Sequence, residues 1–297
     1  MTHPAPGRSV RIADGLRRVL APNAGPMTYW GTNSFILGEG RVAVVDPGPA
    51  SEPHLEALLA ATRGETVTHI LVTHAHADHS PLARELARRT GAPVMGFGPP
   101  EAGRSAVMAG LAAAGLAGGG EGVDAGFRPN VALADGDVVT GEGWSVEVVH
   151  TPGHFAGHLA FDFGSGLLTG DHVMDWSSTL VSPPDGEVGA FLASSRRLLA
   201  LAEKPFHPAH GGALAEPAER LDWLIRHRAD REAAILNALG QSPQDTSRIA
   251  RTVYTDLPAA MLPAAERNVF AHLVDLHERS IVDALPCLSP SAYFRLR

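Results

Sequence analysis

The run Thr73–His79, which reads THAHADH, constrains this chain more than any other part of its sequence. In an extended segment alternate side chains point the same way, so His74 and His76 can bind one cation together. The turn that follows can direct Asp78 and His79 to another face, where a second cation would bind beside the first. Because burying these four side chains without partners would be costly, a metal site explains the run better than a polar loop does. Imidazole and carboxylate ligands suit zinc, iron or manganese.

The neighbours of this run place it between a strand and a helix. Residues 69–73 form a short β-branched segment that is typical of a strand. Ser80 and Pro81 indicate an N-cap followed by proline at the first helical position. The helix is expected to continue to about Arg89, with Gly91 as its C′ residue. Loops at the ends of strands are where scaffolds hold catalytic groups, so this position favours a catalytic role.

Three further motifs also stand at the ends of predicted strands. His150–His154 reads HTPGH and is a tight turn that can aim its terminal histidine at the same site. Thr169–Asp171 ends another strand, where Gly170 permits a close approach of the backbone. His207–Gly212 reads HPAHGG and precedes the C-terminal helix. Each motif alone is weak, but four strand-end motifs in one chain point to one shared site.

The remainder of the first 215 residues mixes short strands with helices. Strands are expected at 34–37, 42–45, 137–140, 145–149, 159–163 and 166–169, and helices at 52–62 and 188–202. This mixture favours an α+β fold in which helices cover a central pair of sheets. The Gly- and Ala-rich stretch 99–129, with a weak helix near 105–116, is either an excursion over the site or a flexible surface loop.

Taken in order, HAHADH, TPGH, GD and AHGG resemble the motifs of the metallo-β-lactamase superfamily, over roughly residues 30–215. The resemblance implies a four-layer αβ/βα sandwich with the site at one edge of two packed sheets. It also implies seven ligands in two groups: His74, His76 and His154 for the first metal, Asp78, His79 and His210 for the second, and Asp171 bridging both. Asp46 matches the family's strand-end aspartate, which supports the ligands without itself binding metal.

The chain departs from the best-known β-lactamases of this family at the second metal. Those enzymes use a cysteine ligand there, whereas the single cysteine of this chain is Cys287, near the C-terminus. The bridging Asp171 instead resembles the glyoxalase II side of the family, so antibiotic hydrolysis is not expected. Asp78 is the expected catalytic residue, because it would orient a hydroxide that bridges the two metal ions for attack on a thioester or ester.

The C-terminal part is expected to form a small, mainly helical domain. Helices are predicted at 218–239, 247–254 and 263–282. Their order, with the run His227–Glu232 (HRADRE), resembles the winged-helix-like domain of the β-lactamase-like endoribonuclease branch. Residues 216–297 contain 10 Arg and 11 acidic residues, fewer basic groups than a nucleic-acid-binding domain normally has. Packing or dimerisation therefore competes with RNA contact as the role of this domain.

We therefore divide the chain into a hydrolase domain (1–215), a winged-helix-like domain (216–285) and a tail (286–297). Three activities remain open: hydrolysis of a thioester or ester, as by hydroxyacylglutathione hydrolase; cleavage of single-stranded RNA; and oxidation at a single iron through His74, His154 and Asp171, as in persulfide dioxygenases. A metal-dependent binding module is the non-enzymatic alternative, and it would require a blocked site.

The expected cofactors are two divalent ions, zinc before iron or manganese. The expected partners are a small-molecule substrate, with single-stranded RNA and a second copy of the chain as alternatives. A net charge of −8 argues against a large nucleic-acid footprint. Neither a signal peptide nor an apolar run of membrane-spanning length is apparent, so we expect a cytoplasmic protein without a membrane partner. The substrate pocket is expected to involve residues 27–30, the Gly-rich stretch and residues 176–184.

Overall fold

The computed structural model describes residues 4–120, 122–240, 242–256 and 258–297. Within these ranges the first sheet has seven strands in chain order, antiparallel from the first to the fourth and parallel from the fourth to the seventh. They are β1 (Ser9–Ala13), β2 (Leu16–Leu20), β3 (Asn33–Leu37), β4 (Arg41–Val45), β5 (Thr66–Leu71), β6 (Val94–Gly96) and β7 (Val131–Ala132).

The second sheet has five strands in the described part of the chain. They are β8 (Val138–Gly141), β9 (Trp144–His150), β10 (Leu159–Asp162), β11 (Leu167–Gly170) and β12 (Phe206–Pro208). Their spatial order is β12-β11-β10-β9-β8, with β11 and β12 parallel and the other neighbours antiparallel.

Helices cover the outer faces of both sheets and build the C-terminal part. They are α1 (Glu52–Ala61), α2 (Leu82–Thr90), α3 (Ala106–Ala113), α4 (Val188–Leu198), α5 (Pro217–Leu239), α6 (Thr246–Val253) and α7 (Leu262–Glu278). Short 3-10 turns stand at Leu199–Leu201 and Ala259–Met261. Among the described residues, none of the helices combines the length and the apolar character that crossing a bilayer requires.

Alternation along the strands separates the core into layers. In β3, Ile36 packs toward α1 and α2, whereas its neighbours Phe35 and Leu37 face the second sheet. In β9, Val148 faces the first sheet and Val149 faces the helices α4 and α5. The layers are therefore helix, sheet, sheet and helix, which confirms the predicted α+β, four-layer αβ/βα sandwich.

The C-terminal part surrounds its own apolar core, formed by α5, α6, α7 and a small sheet. That sheet contains β13 (Gln244–Asp245), β14 (Val282–Leu285) and β15 (Tyr293–Leu296) in the order β13-β15-β14. The last helix ends earlier than predicted, because Ser280 has a left-handed backbone and Val282 begins β14. Strand β15 lies in the segment 286–297 that we described as a tail.

In the N-terminal half, the sequence analysis missed one hairpin and assigned one helix cap wrongly. The hairpin of β1 and β2 was not predicted, although its Asp14-Gly15 turn, with Gly15 at φ +64°, is a strong hairpin pattern. Ser80 was predicted to cap α2, but the helix begins at Leu82 without a side-chain cap. The Ser80 hydroxyl instead donates to Asp124 Oδ2 over 2.9 Å, since that carboxylate lies beside it.

The described residues of the Gly-rich stretch, 99–120 and 122–129, form an excursion that returns along the THAHADH run. The backbone N–H of Ala77 donates to Gly122 O, and that of Asp124 donates to Ala75 O, each over 2.9 Å. Before that return, Met108 and Leu111 of α3 pack into the C-terminal core. The stretch therefore connects the candidate site with the C-terminal part.

Candidate metal centre

The strands that precede the predicted ligands end at one edge of the two sheets. The THAHADH run follows β5, while His154, Asp171 and His210 follow β9, β11 and β12. Both β9 and β11 are antiparallel to β10, and β12 is parallel to β11, so these three strands point in one direction. The structure brings the seven residues together in two buried groups: His74, His76, His154 and Asp171, and Asp78, His79 and His210.

The first group is three imidazoles whose ring nitrogens converge. His76 Nδ1 lies 2.9 Å from His74 Nε2 and 3.0 Å from His154 Nε2. The Asp171 Oδ2 oxygen lies 3.6 Å from the same nitrogen of His154. The four ligand atoms lie within 4.8 Å of one another, which is the spacing that a single cation needs.

The outer nitrogens of two of these rings fix where their protons are. His154 Nδ1 donates to the Leu180 carbonyl over 2.7 Å. His74 Nδ1 lies 3.0 Å from the hydroxyl of Thr73, which itself donates to Asp46. Each ring therefore carries its proton on Nδ1 and directs the lone pair of Nε2 inward. His76 Nδ1 can direct one proton at only one of the two Nε2 atoms, so at least one of these contacts of about 3 Å sets lone pairs against each other unless a cation lies between them. The geometry therefore fits a metal.

The second group has two imidazoles and a carboxylate. Asp78 Oδ2 lies 3.2 Å from His79 Nε2 and 3.1 Å from His210 Nε2. On their outer sides, His79 Nδ1 contacts Asp46 Oδ2 at 3.0 Å and His210 Nδ1 contacts the Gly31 carbonyl at 3.2 Å. These acceptors again hold the proton on Nδ1, so both Nε2 atoms are free to act as ligands.

Asp171 joins the two groups through its two oxygens. Oδ2 faces His154 of the first group, while Oδ1 lies 3.5 Å from His79 and 3.3 Å from His210 in the second. Within the described residues, Asp171 Oδ1 and His79 Nε2 are buried polar atoms without a hydrogen-bond partner. Buried atoms of this kind normally have a partner, and two cations would supply it.

Asp46 supports both groups from behind the ligands, as the resemblance implies. It accepts the backbone N–H and the hydroxyl of Thr73, each over 2.7 Å, and it also contacts His79. The side chain is 1% exposed, and the backbone has φ +48°, a region that Asp and Asn tolerate better than most residues. One buried carboxylate therefore orients His79 directly and His74 through the Thr73 hydroxyl.

Two glycines allow the backbone to approach the ligands closely. A Cβ atom on Gly170, at φ +49°, would lie 2.5 Å from His158 Nε2. A Cβ atom on Gly153, at φ +142°, would lie 2.3 Å from the backbone of Phe191. Because neither position has room for a side chain, glycine is required in both the GD and the TPGH motifs.

Burial dominates the electrostatics of the first group. It holds the pKa of His74 well below its ordinary value, that of His76 at about 3, and that of His154 below its ordinary value. These rings are therefore neutral, which is the protonation state that a metal ligand requires.

Carboxylates dominate the electrostatics of the second group. Burial disfavours the charged rings of His79 and His210, but Asp78 and Asp171 outweigh it and raise the pKa of His79 well above its ordinary value and that of His210 to about 10. Burial also opposes ionisation of Asp78 and Asp171, but the neighbouring histidines lower both carboxyl pKa values well below their usual range. The two carboxylates therefore stabilise positive charge in the second group, either on protonated histidines or on a bound cation.

Three further histidines, His150, His158 and His172, lie close to the ligands in the sequence, and of these His158 contacts the site. Its Nε2 accepts the backbone N–H of Asp171 over 3.2 Å, and its Nδ1 contacts the Thr151 hydroxyl. His150 stacks on Phe97, and His172 contacts Ser195, both away from the ligand atoms.

Sequence reasoning missed the groups that support the ligands by hydrogen bonds. The hydroxyl of Thr32 donates to Asp78 Oδ2 over 3.0 Å, and Thr73 relays Asp46 to His74. Adjacency to the THAHADH run could have indicated Thr73. The Leu180 and Gly31 carbonyls are backbone groups, so no pattern of side chains in the sequence could predict them.

Comparison with known families gives two matches along this chain. A model of the metallo-beta-lactamase superfamily matches residues 27–210, and a model described as the beta-lactamase associated winged helix domain matches residues 246–286. The first match covers the first sheet from β3 onward, the whole second sheet and all seven residues of the site.

Individual relatives extend over nearly the whole chain. A beta-lactamase-like protein 2 homolog from Drosophila melanogaster is 29% identical over 90% of this chain and 89% of its own length. An atrochrysone carboxyl ACP thioesterase from Aspergillus terreus is 26% identical over 82% of this chain and 68% of its own length. Among solved structures, a metallo-beta-lactamase family protein from Thermus thermophilus superposes with a TM-score of 0.77 at 25% identity, over 96% of this chain and 99% of that one.

Proposed function

Because this chain belongs to the metallo-beta-lactamase superfamily and is a metal-dependent hydrolase, we propose that it hydrolyses thioesters with two divalent ions, zinc before iron or manganese. The observation that carries the proposal is Asp171, whose two oxygens face the two ligand groups. His74, His76 and His154 would hold one ion, and Asp78, His79 and His210 the other. A small-molecule acyl thioester is the proposed substrate.

The donor set is suited to this chemistry. When bound, two such cations lower the pKa of a water from ~15.7 toward ~7 and polarise an acyl carbonyl. Asp78, held by the Thr32 hydroxyl, would orient the attacking water while it binds the metal. His154, 7% exposed, and Asp171, also 7% exposed, lie where the buried site reaches its surface, so a substrate would approach from their side.

A thioester is favoured over other bonds by the relatives. Several of the similar proteins are named atrochrysone carboxyl ACP thioesterases, and those proteins match about four fifths of this chain. A thioester with a compact carrier such as glutathione and one on a carrier protein share the same scissile bond. We therefore propose which bond is cleaved, and the substrate panel identifies the carrier.

Cleavage of single-stranded RNA is the second candidate, because the winged-helix model matches residues 246–286. The near-neutral balance of 10 Arg and 11 acidic residues in 216–297 gives this candidate little electrostatic support. Oxidation at one iron through His74, His154 and Asp171 is the third, and the metal content of the purified protein separates it from a two-metal hydrolase.

One panel on one preparation separates these activities. Metal content is measured by mass spectrometry, and the same sample is assayed with acyl thioesters including S-lactoylglutathione, with single-stranded RNA, and with glutathione persulfide under oxygen. We expect thioester turnover and two metals per chain. RNA cleavage without thioester turnover, or a single iron with oxygen consumption, would refute the proposal.

A matched pair of variants tests the catalytic role within that panel. Asp78→Asn removes the buried carboxylate of the second group, while Asp222→Asn makes the same change at an exposed position of α5. We expect thioester hydrolysis to be lost in the first variant and kept in the second. Light scattering of the same preparation tests the alternative that a second copy of the chain is a partner.

A further inference from the structure

A cavity between the hydrolase domain and the C-terminal part is lined mainly by apolar residues, with Ser177, Ser178 and Asn268 also in its wall. Its volume is about 160 Å³. Met27, Met174 and Leu180 line it from the hydrolase domain, while Met261 and Ala264 line it from the start of α7. Neither domain alone encloses this space, because the walls come from both.

The wall segment 174–181 is shared between this cavity and the metal centre. Leu180 lines the cavity with its side chain, and its carbonyl accepts the proton of His154 Nδ1. The Thr179 hydroxyl donates to the Asp171 carbonyl over 2.6 Å. The segment that lines the cavity therefore also supplies the hydrogen bonds to two metal ligands, His154 and Asp171.

The C-terminal part holds this segment through a buried cation. The side chain of Arg228, on α5, is 1% exposed, donates to the Thr179 carbonyl and to Asn268 Oδ1, and among the described residues forms no ion pair with a carboxylate. Asn268 Oδ1 also accepts the backbone N–H of Val181 over 3.1 Å. These bonds hold the wall segment in place from the side of the C-terminal part.

Resting on the proposed function, we propose that this cavity is the acyl-binding subsite and selects a compact apolar acyl group of about six carbons or one aromatic ring. An apolar cavity of ~150 Å³ accepts a benzene ring, which is close to the size here. The carrier half of such a thioester, glutathione or a carrier protein, is polar, so it does not suit a small and mainly apolar cavity. The acyl half does, and the shared wall places that half beside the metal centre.

The test is the dependence of kcat/KM on acyl length with one thiol carrier. N-acetylcysteamine thioesters of acetate, butyrate, hexanoate, decanoate and benzoate are compared. For the wild-type protein we expect kcat/KM to rise by up to about fourfold per added methylene to hexanoate, and to fall at decanoate. Equal kcat/KM values across the series would overturn the subsite while leaving thioester hydrolysis in place.

Substitutions in the cavity give the decisive comparison. Ala264→Leu fills the space, and Ala260→Leu adds the same atoms at an exposed position outside it. We expect the first to lower the hexanoyl-to-acetyl ratio at least about tenfold, a change typical of altering a hydrophobic pocket by a few carbons, and the second to leave it unchanged. Met261→Ala enlarges the cavity and should shift the acyl length with the highest kcat/KM toward decanoate. Because two different variants test the cavity, a failure of one of them to fold still leaves a result.

The outcomes separate this inference from the proposed function. If Ala264→Leu and Met261→Ala keep the wild-type acyl ratios, the cavity is not the acyl subsite, although the enzyme is a thioesterase. If those variants instead change the ratio of coenzyme A to N-acetylcysteamine thioesters at constant acyl length, the cavity holds the carrier and the inference is wrong. If the wild-type protein hydrolyses none of the thioesters, the proposed function fails first and this inference fails with it.

Discussion

The metal centre and the cluster of Arg228, Asn268 and His272 both bury titratable side chains, but they differ in the charges around them. In the metal centre, Asp78 and Asp171 lie within 3.6 Å of histidine nitrogens. In the Arg228 cluster, the cation contacts the oxygens of Thr179 and Asn268, and within the described residues no carboxylate pairs with it.

This difference shows in the pKa values. Carboxylates overcome burial to raise the pKa of His210 to about 10, whereas burial lowers the pKa of Arg228 to about 10 and that of His272 to about 3, with Arg228 adding to the effect on His272. Carboxylates in the low-dielectric interior therefore make the metal centre a cation-binding site. At the junction between the domains, the buried Arg228 cation has no carboxylate partner among the described residues. Three of the following changes alter one region of this comparison, and Arg228→Met tests whether the two regions are connected.

The largest effect is expected from Asp171→Asn, which removes the charge shared by the two groups. Lewis-acid stabilisation contributes several kcal/mol and ~1.4 kcal/mol corresponds to a factor of ten, so we expect kcat/KM for the thioester to fall about 10³-fold. Metal content should fall below one ion per chain, measured on the same sample. Two retained ions with unchanged turnover would contradict the bridging role, and Asp222→Asn is the exposed control.

A smaller effect is expected from Asp46→Asn, which acts behind the ligands. Asparagine tolerates the left-handed backbone at φ +48°, so this change tests the carboxylate without straining the turn. Loss of such a supporting partner typically costs 10- to 100-fold in metal affinity, and we expect that range in a chelator competition titration. An unchanged titration would mean that Asp46 only stabilises the fold.

Arg228→Met is expected to act on both regions, because the wall segment joins them. The Thr179 carbonyl loses its donor, while Asn268 Oδ1 keeps only the backbone N–H of Val181. This costs about 1–3 kcal/mol of unfolding free energy, partly offset by removing an unpaired buried charge. Through the Leu180 carbonyl that holds His154, metal affinity of the first group should fall about tenfold. Thermal melting and metal titration measure the two effects, and the exposed Arg226→Met is the control. A lower melting temperature with unchanged metal affinity would show that the junction does not reach the metal centre.

The smallest effect concerns the pH dependence of stability at His272. Burial lowers the pKa of this ring in the folded state to about 3, below the ~6.5 expected in the unfolded chain. Its contribution to stability is therefore complete above pH 6.5 and is lost as pH falls toward 3, by at most about 1.4 kcal/mol per pH unit. His272→Leu should reduce the slope of unfolding free energy between pH 6.5 and 4, measured in urea. Parallel slopes for the two proteins would contradict this.

Much of the metal centre could be predicted from sequence because its ligands are side chains in short motifs at strand ends. The THAHADH run, His154, Asp171 and His210 needed no knowledge of long-range packing to be identified. The layer order was predictable for a related reason, since alternation in β3 and β9 assigns each apolar side chain to a face.

What sequence did not predict depends on contacts between distant segments. The Leu180 and Gly31 carbonyls select the proton positions of His154 and His210, but any residue supplies a carbonyl. Ser80 seemed to be a helix cap because a local pattern cannot show Asp124, which lies 44 residues away and takes its hydroxyl. The cavity between domains is likewise absent from any single motif.

Helix α5 has a practical consequence for anyone who wishes to divide this molecule. Leu221 and Leu224, near its start, belong to the core over the second sheet, while Ile235 and Leu239, near its end, belong to the C-terminal core. At 1.5 Å per residue, its 23 residues form a rod of about 34 Å that both cores use as a wall. A protease or a cloning boundary placed between 217 and 239 would cut a continuous helix and expose apolar surface on both fragments.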